Sequence, residues 1–331
     1  MNLLIPSIGR SYHLAKFFAE ALDKRGAKLI AADVSTLASG LYGADDAALV
    51  PPTNDPEFWP HIDELVEELE ISRVLPVRGG ELLLWAKRYE TGMLAAKVLT
   101  SPVATLATCL DKWALFEAIK AAGVHTPTTV LAVPDELSDE TFSLPVVIKP
   151  RHGTGTGAAN VRVVESVLLL EAELIERSDR NEESIVQQFV PGEQYTVDAY
   201  IARTGKMATA VVRKRISVRA GQTDIGETVY DPELVALTRD LIESLPFRGA
   251  INLQFIRGFE GNGGSKPLLI DVNPHFSSAI AITRAAGVDL AEYTVRELFG
   301  EKLPETSKYE LVTHLGYSDG ISLPSGSLGG R

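Results

Sequence analysis

A change in hydrophobic rhythm near residue 128 is the strongest constraint on how this chain folds. Before it, short apolar runs alternate with amphipathic stretches: 2–6, 28–33 and 73–77 read as strands, and 13–25, 55–70 and 80–89 as helices. Parallel strands need crossover connections, which helices supply, so this rhythm predicts a small, mostly parallel α/β layer. Beyond residue 128 the apolar positions alternate over longer stretches, at 195–202, 207–218 and 250–257, joined by Gly-containing connections that suit antiparallel pairing. Asp231 and Pro232 supply an N-cap and first-turn pair for a helix to about Leu245. The expected fold class is α/β first and α+β afterwards.

Residues 99–102 look like the boundary. After them Asp111 can cap a helix that ends at Gly123, a C′ glycine. A length of 331 residues suggests about two domains. Acidic residues outnumber basic ones 44 to 32, so the chain repels a phosphate backbone overall and nucleic acid is not an expected partner. No apolar run approaches the roughly 20 residues that span a bilayer. The first five residues read as a strand and not as a signal peptide, which points to the cytoplasm. Cys109 is the only cysteine, excluding an intramolecular disulfide and a cysteine zinc site. The Gly- and Ser-rich residues 317–331 are expected to be loosely ordered, and 258–266 to form an exposed hairpin loop.

The strand at 146–149 ends in Lys149 and is followed by Pro150, Arg151, His152, Gly153, Thr154, Gly155, Thr156 and Gly157. Glycines at every second position let backbone N–H groups approach an anionic oxygen, and the threonine hydroxyls add donors. The alternative is an ordinary mobile hairpin turn. A dinucleotide fingerprint would need a helix after the glycines, where a strand-like stretch at 161–164 follows instead, and a P-loop would need Gly-Lys-Ser/Thr. Neither fits.

In 268–274 alternation puts Asp271 and Asn273 on one face; in 250–255 it puts Asn252 and Gln254 on one face. Oxygen donors with one carboxylate form a weak protein site for a hard cation, and a reasonable Mg²⁺ site if nucleotide phosphates complete the shell. A solvated polar face is the competing reading. Arg213, Arg215 and Arg219 share one face by the same period and suggest an anion site, with a solvated edge strand as the equal alternative. The six histidines show no metal-ligand spacing.

Six motifs in order resemble the ATP-grasp enzymes, especially stand-alone relatives of the carbamoyl phosphate synthase large subunit and of amino-acid ligases. They are Asp111-Lys112-Trp113; Val147-Ile148-Lys149-Pro150; the glycine loop; Val186-Gln187-Gln188-Phe189-Val190-Pro191-Gly192-Glu193; Asn252-Leu253-Gln254; and Asp271-Val272-Asn273-Pro274. The resemblance covers residues 1–304. It implies a Rossmann-like parallel layer over 1–100, a two-lobed ATP-grasp fold over 101–310 with nucleotide between the lobes, and a tail over 311–331. It also implies that Lys112, Lys149 and the loop from Gly153 to Gly157 (Thr154, Gly155 and Thr156 between them) hold the phosphates of ATP. Gln187, Gln188, Phe189 and Val190 would form the hinge, with backbone groups at Gln188 and Val190 reading the adenine edge. Gln254, Asp271 and Asn273 would hold Mg²⁺, or Mn²⁺ in its place.

Three positions depart from the family pattern. Gln194, with Glu193 beside it, stands where a glutamate commonly holds the ribose. Asp271 stands for the usual metal glutamate. His275 stands where an arginine often stabilises the acyl phosphate, a role Arg213 or Arg215 could take, with Ser277 adding a hydroxyl. The implied activity is an ATP-dependent carboxylate-amine ligase acting on small molecules, in a family that often forms homodimers. Phosphorylation of a carboxylate or carbamate, as in carbamoyl phosphate synthesis, ranks lower because a second synthase half is missing. An inactive nucleotide-binding module is the rival from another class. The acceptor is expected against the first layer, near the 9–11 and 78–81 loops.

Overall fold

The computed structural model describes residues 1–331 apart from 134–136, 138–141, 154–159, 220, 259–265, 305–307, 318 and 325–331. The expected hairpin loop therefore lies mostly outside the described residues, as does the end of the expected tail.

The early rhythm folds as a five-stranded parallel sheet. Its strands β1 (Asn2–Ile5), β2 (Leu29–Asp33), β3 (Asp46–Leu49), β4 (Ile71–Val74) and β5 (Lys97–Val98) lie in the order β3-β2-β1-β4-β5. All five residues of β2 are buried, as expected of a strand covered on both faces. The connecting helices are α1 (Tyr12–Asp23), α2 (Phe58–Glu68) and α3 (Leu82–Glu90), and α1 buries Leu14, Ala15, Phe18, Ala21 and Leu22 at helical spacing. Strand order reverses between β1 and β4. The loops leaving their carboxyl ends diverge there, opening the crevice in which such sheets receive ligands.

Two helices, α4 (Val103–Leu110) and α5 (Lys112–Ala121), lead into a four-stranded antiparallel sheet. It comprises β6 (Thr129–Leu131), β7 (Val146–Pro150), β8 (Arg162–Val164) and β9 (Ser184–Gln188), in the order β6-β9-β7-β8, with α6 (Val167–Asp179) between β8 and β9. The largest sheet is also antiparallel. It contains β10 (Gly192–Ile201), β11 (Met207–Arg219), β12 (Gln222–Val229), β13 (Gly249–Gly258), β14 (Pro267–Asn273) and β15 (Thr313–Leu315), in the order β14-β13-β10-β11-β12-β15. The strand β15 falls within the 311–331 tail and precedes the 317–331 stretch for which the sequence predicts loose order.

One face of this large sheet is apolar. Val197, Ala199, Val212, Leu253 and Phe255 pack there with Leu115 and Ile119 of α5 and with Leu234 and Leu241 of α7 (Pro232–Ser244). On the opposite face, Tyr200, Val211 and Ala250 join the core of α1 and α8 (Leu290–Leu298), and polar side chains occupy the rest. Among the described residues no helix is long and apolar enough to cross a membrane.

Arg219 departs from the expected face. The β11–β12 register shifts between Arg215 and Ser217 and again between Ser217 and Val218, and each bulge breaks the alternation on which the reading rested. Its side chain is 74% exposed, 3.9 Å from Asp224, so it takes no part in the arginine cluster.

Candidate active site

The junction of α4 and α5 fixes the first functional lysine. Asp111 caps α5 by accepting from the Trp113 and Ala114 amides at 3.0 and 3.2 Å, which places Lys112 at the first helical position. The same carboxylate receives Arg151 Nη2 at 2.7 Å. Burial pushes the Asp111 carboxyl up, but Arg151 and the two amides more than offset this and hold it below its ordinary range. The Lys112 amide donates to Arg151 O at 2.8 Å, and the Gly153 amide to Leu110 O at 3.1 Å. The start of the glycine loop is thus tied to the α4–α5 junction. Thr154, Gly155, Thr156 and Gly157 lie outside the described residues.

Lys149, on β7, is 8% exposed. It donates to Gln187 Oε1 at 3.0 Å and reaches across to the large sheet at Ile270 O, 3.4 Å away. Gln187 is itself fixed by donating to Thr129 Oγ1 at 2.9 Å. Burial, reinforced by Lys112 and opposed by Asp271, lowers the Lys149 ammonium to about 8. Lys112 Nζ lies 3.1 Å from Asp271 Oδ1. Burial disfavours the Asp271 carboxylate, yet the two lysines overcome it and hold the group below its ordinary range.

Strand pairing sets Gln254 opposite Asp271 and Asn252 opposite Asn273, bringing the oxygen donors expected from alternation onto one face. Asn273 Nδ2 donates to Asn252 Oδ1 at 3.3 Å and to Asp271 Oδ2 at 3.4 Å, while Asn252 Nδ2 donates to His275 O at 3.0 Å. The expected hinge residues connect the two antiparallel sheets. Gln188 uses its side chain internally, exchanging hydrogen bonds with Ser143 at 2.8 and 3.2 Å, and Phe189 and Val190 are half-buried. Glu193 pairs with Lys214 at 2.6 Å and accepts from Tyr195 Oη at 2.7 Å, contacts that lower its pKa. By alternation Gln194 takes the other face of β10. It is exposed there, opposite Arg215 and on the same face as Thr196 and Gln254.

Arg213 is 1% exposed and forms a bidentate pair with the equally buried Asp198, at 2.7 and 3.0 Å. Its Nη2 also donates to Ser277 Oγ at 3.0 Å, and Thr283 Oγ1 donates to Asp198. Arg213 Nη1 and Arg215 Nε are nevertheless buried with no acceptor among the described residues. Left so, each such donor costs about 1–3 kcal/mol. Burial, with Arg213 beside it, lowers the Arg215 pKa. His275 donates from Nδ1 to Phe276 O at 2.8 Å, and burial lowers its pKa although that carbonyl and Asp271 oppose the shift. The ring is therefore neutral at pH 7.

These residues wall a cavity of about 380 Å³ between the large sheet, the 275–281 segment and the start of α1. The sheet contributes Thr196, Arg213, Arg215, Asn252 and Gln254; the parallel layer contributes Val77 and residues 10–14. A Cβ at Gly79 would come within 3.2 Å of His275 Nε2, so the 78–81 loop closes on the same wall. Asp198 was missed in the sequence, whereas Arg10 belongs to the 9–11 loop expected near the acceptor. A lone carboxylate within an apolar strand needs a buried cation, and that signal could have paired Asp198 with Arg213.

Comparison with known proteins bears on the fold. Residues 180–317 match the family described as "ATP-grasp in the biosynthetic pathway with Ter operon", and residues 3–97 match "PylC-like, N-terminal domain". An ADP complex of N5-carboxyaminoimidazole ribonucleotide synthetase superposes with a TM-score of 0.74 at 18% identity, covering 94% of this chain and 80% of that one. The chain has the ATP-grasp fold. Biotin carboxylase from Campylobacter jejuni, solved with βγ-ATP, has the same TM-score at 16% identity, with 94% and 73% coverage. The carbamoyl phosphate synthase large chain of Thermoplasma acidophilum is 24% identical over 264 residues, 74% of this chain, and the chain spans 25% of that relative's length. The ATP-grasp resemblance carried by the motif order is thereby borne out.

Proposed function

We propose that the protein is an ATP-dependent ligase joining a small-molecule carboxylate to an amine, with release of ADP and phosphate. The observation that carries this reading is the convergence of Lys112, Lys149 and Asp271 where the two antiparallel sheets meet, in register with Gln254 and Asn273. Gln254 also lines the cavity, so the cluster and the cavity share a wall.

Two lysines around one carboxylate leave unbalanced positive charge that a triphosphate would complete. The donors of Gln254, Asp271 and Asn273 are all oxygens with one carboxylate, and among the described residues no group of three His, Cys, Asp or Glu could hold a metal. This donor set fits Mg²⁺, or Mn²⁺ on the same ligands, sharing its shell with phosphate oxygens. When bound, the ion would neutralise charge on those oxygens. Lys149, oriented by Gln187, would bind phosphate oxygens, and Lys112 would move from Asp271 to the nucleotide as the carboxylate turns to the ion. The backbone at 187–190 would frame the adenine, with Gln194 placed to reach the ribose from the exposed face of β10.

In the first step a substrate carboxylate oxygen attacks the γ-phosphorus, and the bond to ADP breaks with its electrons on the leaving oxygen. The amine then attacks the acyl carbon; the bond to phosphate breaks and the nitrogen loses a proton. Arg213, fixed by Asp198 and Ser277, and Arg215 line the cavity and would hold the acyl phosphate oxygens. His275, neutral and packed against the 78–81 loop, would shape that end without adding charge. The ATP-grasp fold of the carboxylase and synthetase named above supports the nucleotide-dependent part of this reading.

The test is release of ADP and phosphate from ATP and Mg²⁺ with pools of carboxylates and amines, bicarbonate forming a separate arm. Release that needs both pools and disappears in Lys149→Ala supports the ligase. Bicarbonate-dependent release would move the reaction to the carboxyphosphate class. Tight ATP binding without turnover in any arm would leave a nucleotide-binding module.

A further inference from the structure

We propose that the cavity beside the parallel layer takes a carboxylate substrate bearing a second anionic group, a phosphate monoester or another carboxylate, and discriminates against zwitterionic amino acids. The inference rests on the ligase reading and specifies its substrate class.

Arg10, Arg213 and Arg215 line the cavity, and among the described residues no Asp or Glu does, although acidic residues exceed basic ones in the whole chain. Asp198 neutralises Arg213 from behind but leaves Nη1 without an acceptor among the described residues, in a side chain that is 1% exposed. Arg215 Nε is likewise buried and has no partner among the described residues, its Nη2 being held by Gly221 O at 2.9 Å. These donors belong to the sheet wall.

The facing wall carries a second, separate set. Arg10 is exposed and has no ion-pair partner among the described residues. It precedes α1, a helix of 12 residues whose N-terminus has no side-chain cap. The His13 and Leu14 amides in its first turn find no acceptor among the described residues. Guanidinium and amide groups at a helix N-terminus are a strong combination for a carboxylate or phosphate.

The Arg213 and Arg215 guanidinium groups on one wall and Arg10 with the α1 amides on the other call for two anionic groups, and about 380 Å³ accommodates a small molecule long enough to present both. An α-ammonium group would instead meet arginines with no carboxylate to balance it, a built-in penalty against amino acids.

Calorimetric titration of the full chain without ATP tests this, using succinate, 3-phosphoglycerate, butyrate and alanine as probes and ADP as a control for the nucleotide cleft. At least one dianion should bind about 10-fold or more tightly than butyrate and alanine, and Arg10→Gln and Arg215→Gln should each weaken it by about 10-fold, the scale of one charge-assisted hydrogen bond. Succinate against 3-phosphoglycerate separates the two kinds of second anion. Thermal melts check that each variant folds, and exposed Arg10 supplies the test should Arg215→Gln not fold. Equal or tighter binding of alanine or butyrate overturns the proposal. So does failure of every probe to bind a protein that binds ADP, or an unchanged dianion affinity in Arg10→Gln. Dianion binding without ATP turnover would sink the ligase reading while leaving the anion site standing.

Discussion

Burial and the nearby Lys112 bring the Lys149 ammonium to about 8, against an ordinary value of 10.5. The unfolded chain therefore binds more protons at this group between those values, so its contribution to stability rises with pH from about 8 to 10.5. Triphosphate oxygens act in the opposite sense and favour the charged form. ATP affinity should fall as pH rises past about 8, and binding above that pH should take up a proton. Calorimetry in buffers of different ionisation heat measures the uptake, and Lys149→Met should abolish it. Asp198 gives a second test at this scale. Asp198→Asn leaves Arg213 buried without its counter-charge, which should cost about 3–5 kcal/mol in urea unfolding, and a loss below about 1 kcal/mol would contradict the pairing. Lys112, Lys149 and Asp271 were legible as residue types in ordered motifs. That Gln187 and Gln188 spend their side chains on Lys149 and Ser143 was not, because those partners stand 38 and 45 residues away.

Elements carry the site through a few junctions. Asp111 both caps α5 and receives Arg151, so Asp111→Ala should lose about 1 kcal/mol of helix stability and also raise the KM for ATP by releasing the start of the glycine loop. Thermal melts and ATP kinetics read the two effects separately. At the start of β10, a Cβ on Gly192 would fall 2.3 Å from the Arg257 carbonyl oxygen on β13. Gly192→Ala should then cost about 1–3 kcal/mol and displace Gln194 from the cleft face. The cap of α5 was readable because capping is local: an Asp one residue before a helix acts on amides two and three positions away. The bulges in β11 were not readable, since no Gly or Pro marks them, and they turned Arg219 away from a face that strict alternation assigned to it.

At the scale of the whole molecule, the C-terminal segment closes the structure. Tyr309 is 9% exposed in the core shared by α1 and the large sheet, accepting from the Val212 amide at 3.2 Å and donating to Val229 O at 2.5 Å. Beyond it, β15 covers the edge of β12. Truncation after Lys308 should therefore lower the melting temperature and promote aggregation through the uncovered edge, measurable by thermal scanning and light scattering. Truncation after Tyr317, which keeps both features, should be nearly neutral. The sequence by itself determined the order of layers, the strand faces of β13 and β14, the capped helices and the motif set, because periodicity, caps and motifs act over a few neighbouring residues. Only the tertiary structure decided which groups share a site. The reversal of strand order between β1 and β4 set the 9–14 segment and the 78–81 loop around the cavity. Sheet pairing put Asp198 behind Arg213, and the meeting of two sheets lowered Lys149 by burying it beside Lys112, since desolvation and charge coupling depend on distance in space.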